Sequence, residues 1–308
     1  MNIAIIGAGG VGGYMGGMLA QAGHRVILIA RGPHLEAINR YGLKVIHRKG
    51  EFTVSVEAKE NSDGVGVMDL IFFTVKTYDT NLALKQIGSM VGDQTGVVTL
   101  QNGIDNHDII SKSIGNNFVL PGSIYIETRI ESPGVIKQSG KVVRVVLGEL
   151  DGSITDRAKN IQMSIEQSGI QCDISSDIRK SLWTKFLFIA SLAGVTAACR
   201  ERIGKLIDRV EYEQLLFGTM KEIESVARAK GVKLDGDVVS KALDYVKTSA
   251  KDIVASMHVD LESGRRLELE SLTGVVVRLA KEKGLDAPLN ELLYLILKPH
   301  AGGINKNS

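Results

Sequence analysis

The chain has little cysteine: two in 308 residues, Cys172 and Cys199. That is too few for a disulfide framework, and no CxxC pair occurs, so a reducing, cytoplasmic compartment is expected. Both thiols read as small buried apolar residues rather than redox groups. There is also no excess of one charge. Lys and Arg number 37 against 35 Asp and Glu, a net charge of +2. This balance argues against a general nucleic-acid or membrane-surface binder. The six histidines form no HxxxH or HExxH, and no Cys/His cluster exists, so no metal site is expected. No GxSxG nucleophile elbow occurs. Long hydrophobic runs are nearly missing. Only 181–199, with Lys185 as its one charge, reaches the length of a membrane span. Ser191, Gly194 and Thr196 interrupt it and it lacks basic flanks of one sign, so it reads as a buried helix. The N-terminus is apolar but has no basic leader and is broken by glycines, so a strand and loop are expected there, not a signal peptide.

Glycine, by contrast, is abundant: 34 residues, of which seven fall within the first seventeen. The run 2–6 is isoleucine-rich, like a fully buried parallel strand. A glycine loop follows, then a helix over 11–22 ended by Gly23, then a second strand over 25–30. Further strands are predicted at 44–46, 53–58, 70–75, 97–100 and 118–120, with helices near 34–39, 80–89 and 105–113. This alternation indicates an α/β domain with a parallel sheet. Residues 134–150 read as an antiparallel addition, 155–167 as a helix and 170–174 as a last strand. From residue 176 onward the pattern becomes helical, with helices predicted at 177–199, 211–230, 237–246, 250–262, 265–283 and 288–298. Two domains are therefore expected: a Rossmann-type α/β domain over 1–175 and an all-helical domain over 176–308.

Gly7-Ala8-Gly9-Gly10-Val11-Gly12 fits GxGxxG between a predicted strand and a predicted helix. The first glycine allows a tight turn, the second lets backbone approach a pyrophosphate, and the third lets helix pack on strand. The helix N-terminus then offers free N–H groups and partial positive charge to the anion. The second strand ends Ile29-Ala30-Arg31. An arginine there pairs with a 2′-phosphate that an acid would repel, which favours NADP(H) over NAD. Lys76 and Asn102 fall at carboxyl ends of predicted parallel strands, where open α/β sheets bind ligands. A strand-end lysine and a turn asparagine are equally consistent with the pattern alone. Lys185 sits in a helix apolar nearly all round, with Trp183, Leu187, Ala190, Gly194 and Ala197 on one stripe. Such a lysine must snorkel, pair with a carboxylate or line a cleft, and desolvation would make it a better proton donor near neutrality. Glu268 lies in Arg265-Arg266-Leu267-Glu268-Leu269-Glu270, which on its own reads as a solvated helix face with an Arg266–Glu270 pair.

Together these residues resemble the ketopantoate reductase family (2-dehydropantoate 2-reductases). The likeness rests on the GxGxxG segment, Ala30-Arg31-Gly32, Thr74-Val75-Lys76, Gln101-Asn102-Gly103, Leu182-Trp183-Thr184-Lys185, and Ser256-Met257 with Asp260 and Glu268. The resemblance implies NADPH-dependent reduction of 2-dehydropantoate to (R)-pantoate, a step toward pantothenate. It implies Lys185 as proton donor, Glu268 in the same network, Ser256 as a substrate contact and Asn102 at the nicotinamide–substrate junction. It also implies Lys76 against the cofactor and Arg31 at the 2′-phosphate. The family pattern has asparagines one and two turns after the lysine, where this chain has Ile189 and Ala193. Arg200 and Arg202, just past the helix, are candidates for a replacement carboxylate clamp, or else ordinary helix-end cations. Two rival readings follow: a reductase of another branched or aromatic 2-oxo acid, and a non-catalytic NADP-binding sensor. A hydroxyacyl-CoA-type dehydrogenase lacks its His–Glu pair here. The long apolar helices leave room for a homodimer face.

Overall fold

A computed structural model describes residues 1–304. The chain divides into two compact units. The first comprises Met1–Gln101 and Asp105–Ile178, and the second comprises Asn102–Ile104 and Arg179–Ser308.

The first unit is α/β. Its strands in chain order are β1 (Asn2–Ile6), β2 (Arg25–Ile29), β3 (Leu43–His47), β4 (Gly50–Val54), β5 (Glu57–Lys59), β6 (Leu70–Phe73), β7 (Gly96–Thr99), β8 (Val119–Tyr125), β9 (Thr128–Ser132), β10 (Val135–Gln138), β11 (Arg144–Leu147) and β12 (Gln171–Ile174). Eight of them form one sheet in the order β12-β11-β8-β7-β6-β1-β2-β5. Every neighbour pair in it is parallel except β8–β11. The helices are α1 (Gly10–Gln21), α2 (Gly32–Tyr41), α3 (Thr80–Ile87), α4 (Asn106–Ile114) and α5 (Asp156–Gln167). Strands β1, β6 and β7 are buried on both faces, as their unbroken apolar runs require.

The antiparallel addition expected over 134–150 is divided between two sheets. β11 joins the main sheet antiparallel to β8, while β10 lies antiparallel to β9 and parallel to β3 in a separate sheet of order β4-β3-β10-β9. This second sheet explains the glycine pairs of α1. A Cβ on Gly16 would lie 2.5 Å from Leu28 of the main sheet, and one on Gly17 2.5 Å from Val45 of the small sheet. Glycine costs a helix interior about 1 kcal/mol relative to alanine. Here that cost is offset by letting one helix lie close against two sheets.

The second unit is helical: α6 (Ile178–Cys199, entering from the last residue of the first unit), α7 (Ile203–Leu206), α8 (Val210–Ala229), α9 (Val238–Ser249), α10 (Ser256–Glu262), α11 (Val275–Glu282) and α12 (Pro288–Leu297). Helix α6 is long and apolar enough to cross a membrane, but most of it is buried in this unit's core with Leu216, Met220, Ile223 and Val276. Its buried hydroxyls are satisfied within the helix, Ser191 donating to the Leu187 carbonyl and Thr196 to that of Leu192. It ends with Arg200 N–H donating to Ala197 O and Glu201 N–H to Thr196 O, so that Arg200 takes the left-handed position at φ +51°.

Two helix expectations are corrected. Residues 250–255 are not helical, and α10 starts only at Ser256. The β-branched Ile253 and Val254 are weak helix formers, and the segment closes in a turn from Ile253 N–H to Ala250 O. Residues 265–269 are not helical either. Arg265 N–H donates to Asp260 O and its Nε to the Asp260 carboxylate at 2.8 Å, while Leu267 N–H donates to Ala301 O. With Gly264 at φ +65°, the bond from Arg265 N–H to Asp260 O closes the C-terminus of α10, so the chain leaves the helix there. Helical structure resumes in a π-turn over Glu270–Gly274 that leads into α11.

Candidate active site

In the first unit the glycine loop follows β1. Gly7 has φ +100°, and a Cβ there would meet Val75 backbone and side-chain atoms at 2.7–2.9 Å. Thr74 Oγ1 donates to Gly7 O at 2.9 Å and reaches Ile6 O at 3.1 Å, fastening the loop to the end of β6. A Cβ on Gly12 would lie 2.1 Å from Gly7 O and 2.4 Å from Thr74 Oγ1, so helix and loop touch there. Around Gly9 nothing lies within 4 Å of a Cβ. Ala8, like Gly7, donates its N–H to Ile29 O. Gly10, Val11 and Gly12 open α1, which has neither a side-chain cap nor an acid in its first turn. Thr128 lies against Gly10, where a Cβ would be 2.9 Å from its carbonyl oxygen, so the helix N-terminus, uncapped by any side chain, is open on the Gly9 side, which fits a pyrophosphate.

Arg31 follows β2 and precedes α2. Its guanidinium is largely exposed, and Nη2 donates to Asp79 Oδ2 at 2.7 Å. Lys76, half-buried, begins a turn over Thr77–Asp79 just after β6. Gln101, at the end of β7, is buried, and its Nε2 donates to Val75 O at 2.9 Å and Thr80 Oγ1 at 2.8 Å. In the sequence, Thr74 and Gln101 stand out only within their motifs, with no role of their own, and Asp79 not at all. Their common signal was position: each lies at or just past the carboxyl end of a parallel strand.

In the second unit, Lys185 of α6 is 8% exposed, and its Nζ donates to Asn102 Oδ1 at 3.2 Å. Burial pulls its ammonium pKa down to about 8, and the neighbouring Glu268 carboxylate pulls the other way. Glu268 is buried just ahead of the π-turn. Asn102, Lys185 and Glu268 thus form one cluster although they are far apart in the chain. Glu270, two residues on, is exposed. It accepts from Tyr294 Oη at 2.9 Å and from Lys298, so the sequence's Arg266–Glu270 helix pair gives way to a different partner.

Ser256 is the exposed first residue of α10, and Asp260 is buried against Arg265. Ile189 is half-buried and Ala193 buried on the α6 face that continues from Lys185. Arg200 does not join the cluster. At about 1.5 Å per helical residue it lies roughly 22 Å along α6 from Lys185. It is exposed, with Nη2 3.5 Å from His300 Nε2. Arg202 is exposed beside it, and both stand where helix-end cations do, away from Lys185. Among the described residues no His/Cys/Asp/Glu group fit to hold a metal occurs.

The cluster offers a buried ammonium beside a carboxylate, which can give a proton to an oxygen. The glycine loop offers an anion cradle. Ketopantoate reductase PanE/ApbA matches residues 3–152, and Ketopantoate reductase PanE/ApbA C terminal matches residues 177–301. The 2-dehydropantoate 2-reductase of Pyrococcus abyssi is 31% identical, covering 97% of each chain. A PanE/ApbA family ketopantoate reductase from Ralstonia eutropha is 31% identical, with a TM-score of 0.90 over 98% of each chain. The fold also recurs, at 24% identity and a TM-score of 0.90 over 98% of each chain, in D-mandelate dehydrogenase. Two family matches that cover both units, together with the cluster and the glycine loop, assign this chain to the ketopantoate reductase PanE/ApbA family of oxidoreductases.

Proposed function

We propose that the protein reduces a 2-oxo acid with NADPH, and that 2-dehydropantoate is the substrate, giving (R)-pantoate. The observation that carries this reading is the buried Lys185 ammonium, which donates to Asn102 and has the Glu268 carboxylate near enough to favour its charge. Reduction of a ketone builds negative charge on its oxygen, and a preorganised cation in a dry site stabilises that charge more than any other single contribution. Lys185 protonates the developing alkoxide. Asn102 fixes where its Nζ points, and Glu268 keeps the ammonium charged against its burial. The dinucleotide, held by Gly7 to Gly12 and by Arg31 with Lys76 nearby, supplies the hydride when bound. Ser256 is proposed as a contact for the substrate.

A second reading has a specific observation behind it. The α6 face that runs on from Lys185 presents Ile189 and Ala193, which are apolar. Such a face suits a branched or aromatic 2-oxo acid at least as well as a hydroxylated one. NADPH oxidation at 340 nm, with 2-dehydropantoate and a panel of branched and aromatic 2-oxo acids, separates the two. A wide kcat/KM margin for 2-dehydropantoate supports the first reading, and a margin for another acid supports the second. No oxidation with any acid, while NADPH still binds, would favour a sensor and overturn both.

A further inference from the structure

The end of β2 and the end of β6 flank the end of β1 in the main sheet, since the strand order there is β6-β1-β2. Arg31 leaves the first, Asp79 follows the second, and the glycine loop lies between them. The Arg31–Asp79 pair therefore spans the loop proposed to hold the dinucleotide. Arg31 uses one arm, Nη2 to Asp79 Oδ2 at 2.7 Å, and its side chain is 71% exposed against 22% for Asp79. The carboxylate is the seated member and the guanidinium the exposed one.

Asp79 also occupies the N-cap position of α3, where aspartate normally accepts a hydrogen bond from the helix's own amides. It makes no such bond here; its carboxylate is turned to Arg31 instead. Helix capping therefore does not account for the orientation of this side chain.

A 2′-phosphate carries nearly two negative charges. To recruit Arg31 it must share the guanidinium with Asp79 or displace the carboxylate, and either event sets like charges against each other. An uncharged 2′-hydroxyl meets no such opposition, and a carboxylate is the acceptor that dinucleotide sites use for it. We infer that Asp79 is a cofactor-selectivity residue, which weakens the preference for a 2′-phosphorylated dinucleotide and admits NADH beside NADPH. The inference rests on the proposed role of Arg31.

The test is equilibrium binding of NADPH and NADH, read from reduced-nicotinamide fluorescence at fixed ionic strength, for the native chain, Asp79→Asn and Arg31→Ala. An exposed ion pair contributes little to stability and asparagine caps helices as well as aspartate, so Asp79→Asn keeps the fold. The native Kd values for the two cofactors are expected within about tenfold of each other. Asp79→Asn is expected to tighten NADPH about five- to tenfold and to leave NADH unchanged or a few-fold weaker. If Asp79→Asn weakens NADPH, or shifts both cofactors equally, Asp79 only positions Arg31 and the inference is overturned. Arg31→Ala tests the underlying reading separately. Selective loss of NADPH affinity upholds the role of Arg31 whatever Asp79 does, and no change for either cofactor removes that role and the inference with it.

Discussion

The pKa of Lys185, pulled down by burial to about 8 from 10.5, is a prediction about both rate and stability. As the proposed proton donor, the lysine must carry its proton in the reduction direction. The log of kcat/KM is then level below about pH 8 and falls by about one unit per pH unit above it. In the oxidation direction the neutral amine is required, so that profile rises through the same pH. Glu268 is the group that holds the ammonium up, so Glu268→Gln moves the break to lower pH. Lys185→Ala lowers kcat by at least about 100-fold, the lower range for a positioned general acid.

The stability consequence has a definite sign. Below about pH 8 folded and unfolded chains both hold the proton, and above the ordinary value of 10.5 neither does. Between the two the unfolded chain binds more proton, so stability rises with pH across that window. A shift of this size corresponds to roughly 3 kcal/mol at most. Lys185→Met abolishes that rise. The assays are initial rates from pH 6 to 10 and urea unfolding across the same range. A reduction rate that stays level to pH 10, or a break that Glu268→Gln does not move, would refute the placing of the proton on Lys185.

Four further outcomes are expected. Gly12→Ala, whose Cβ would lie 2.1 Å from Gly7 O, should cost about 3 kcal/mol or more in a thermal melt. Gly9→Ala, at φ −70° with open space around it, should keep the native Tm yet weaken dinucleotide binding at least tenfold; unchanged binding would remove Gly9 from the cofactor cradle. Arg200→Gly should stabilise by about 0.5–1 kcal/mol, because glycine takes a positive φ without strain, and should leave KM for the 2-oxo acid unchanged; a tenfold rise in KM would restore Arg200 as a substrate clamp. Burial opposes the charge of Glu149, but hydrogen bonds from Arg157 and Thr155 hold its carboxyl below the usual 4.5. Its stabilisation is therefore present above that value and lost as pH falls through the lower folded value. Glu149→Gln should cost about 1–2 kcal/mol at pH 7 and flatten that acid limb, as measured by urea melts at pH 3 to 7.

Local pattern carried much of this protein. The glycine spacing over Gly7 to Gly12 placed a strand, a turn and a helix in order, because turn geometry and close packing act over a few residues. The apolar run around Lys185 marked it as a lysine in a buried helix, since periodicity reports burial directly. Helix limits read less well wherever distant partners took the backbone donors. Leu267 N–H goes to Ala301 O, a bond to a distant segment made where the local pattern favoured a helix.

What only the tertiary structure decided was non-local. Glu268 and Glu270 are alike in local sequence, yet one is buried beside Lys185 and the other pairs with Lys298. The pairing of β3 with β10 joins segments some ninety residues apart and gives α1 a second sheet to pack against. Asn102 reaches Lys185 across 83 positions, and Asp79 reaches Arg31 across 48. The amino-acid order determined the anion loop, the alternation of strand and helix, and the solitary buried lysine, because each depends on neighbours in the chain. The partners that tune that lysine and that arginine were decided by folding, because charge and desolvation act through space and not along the sequence.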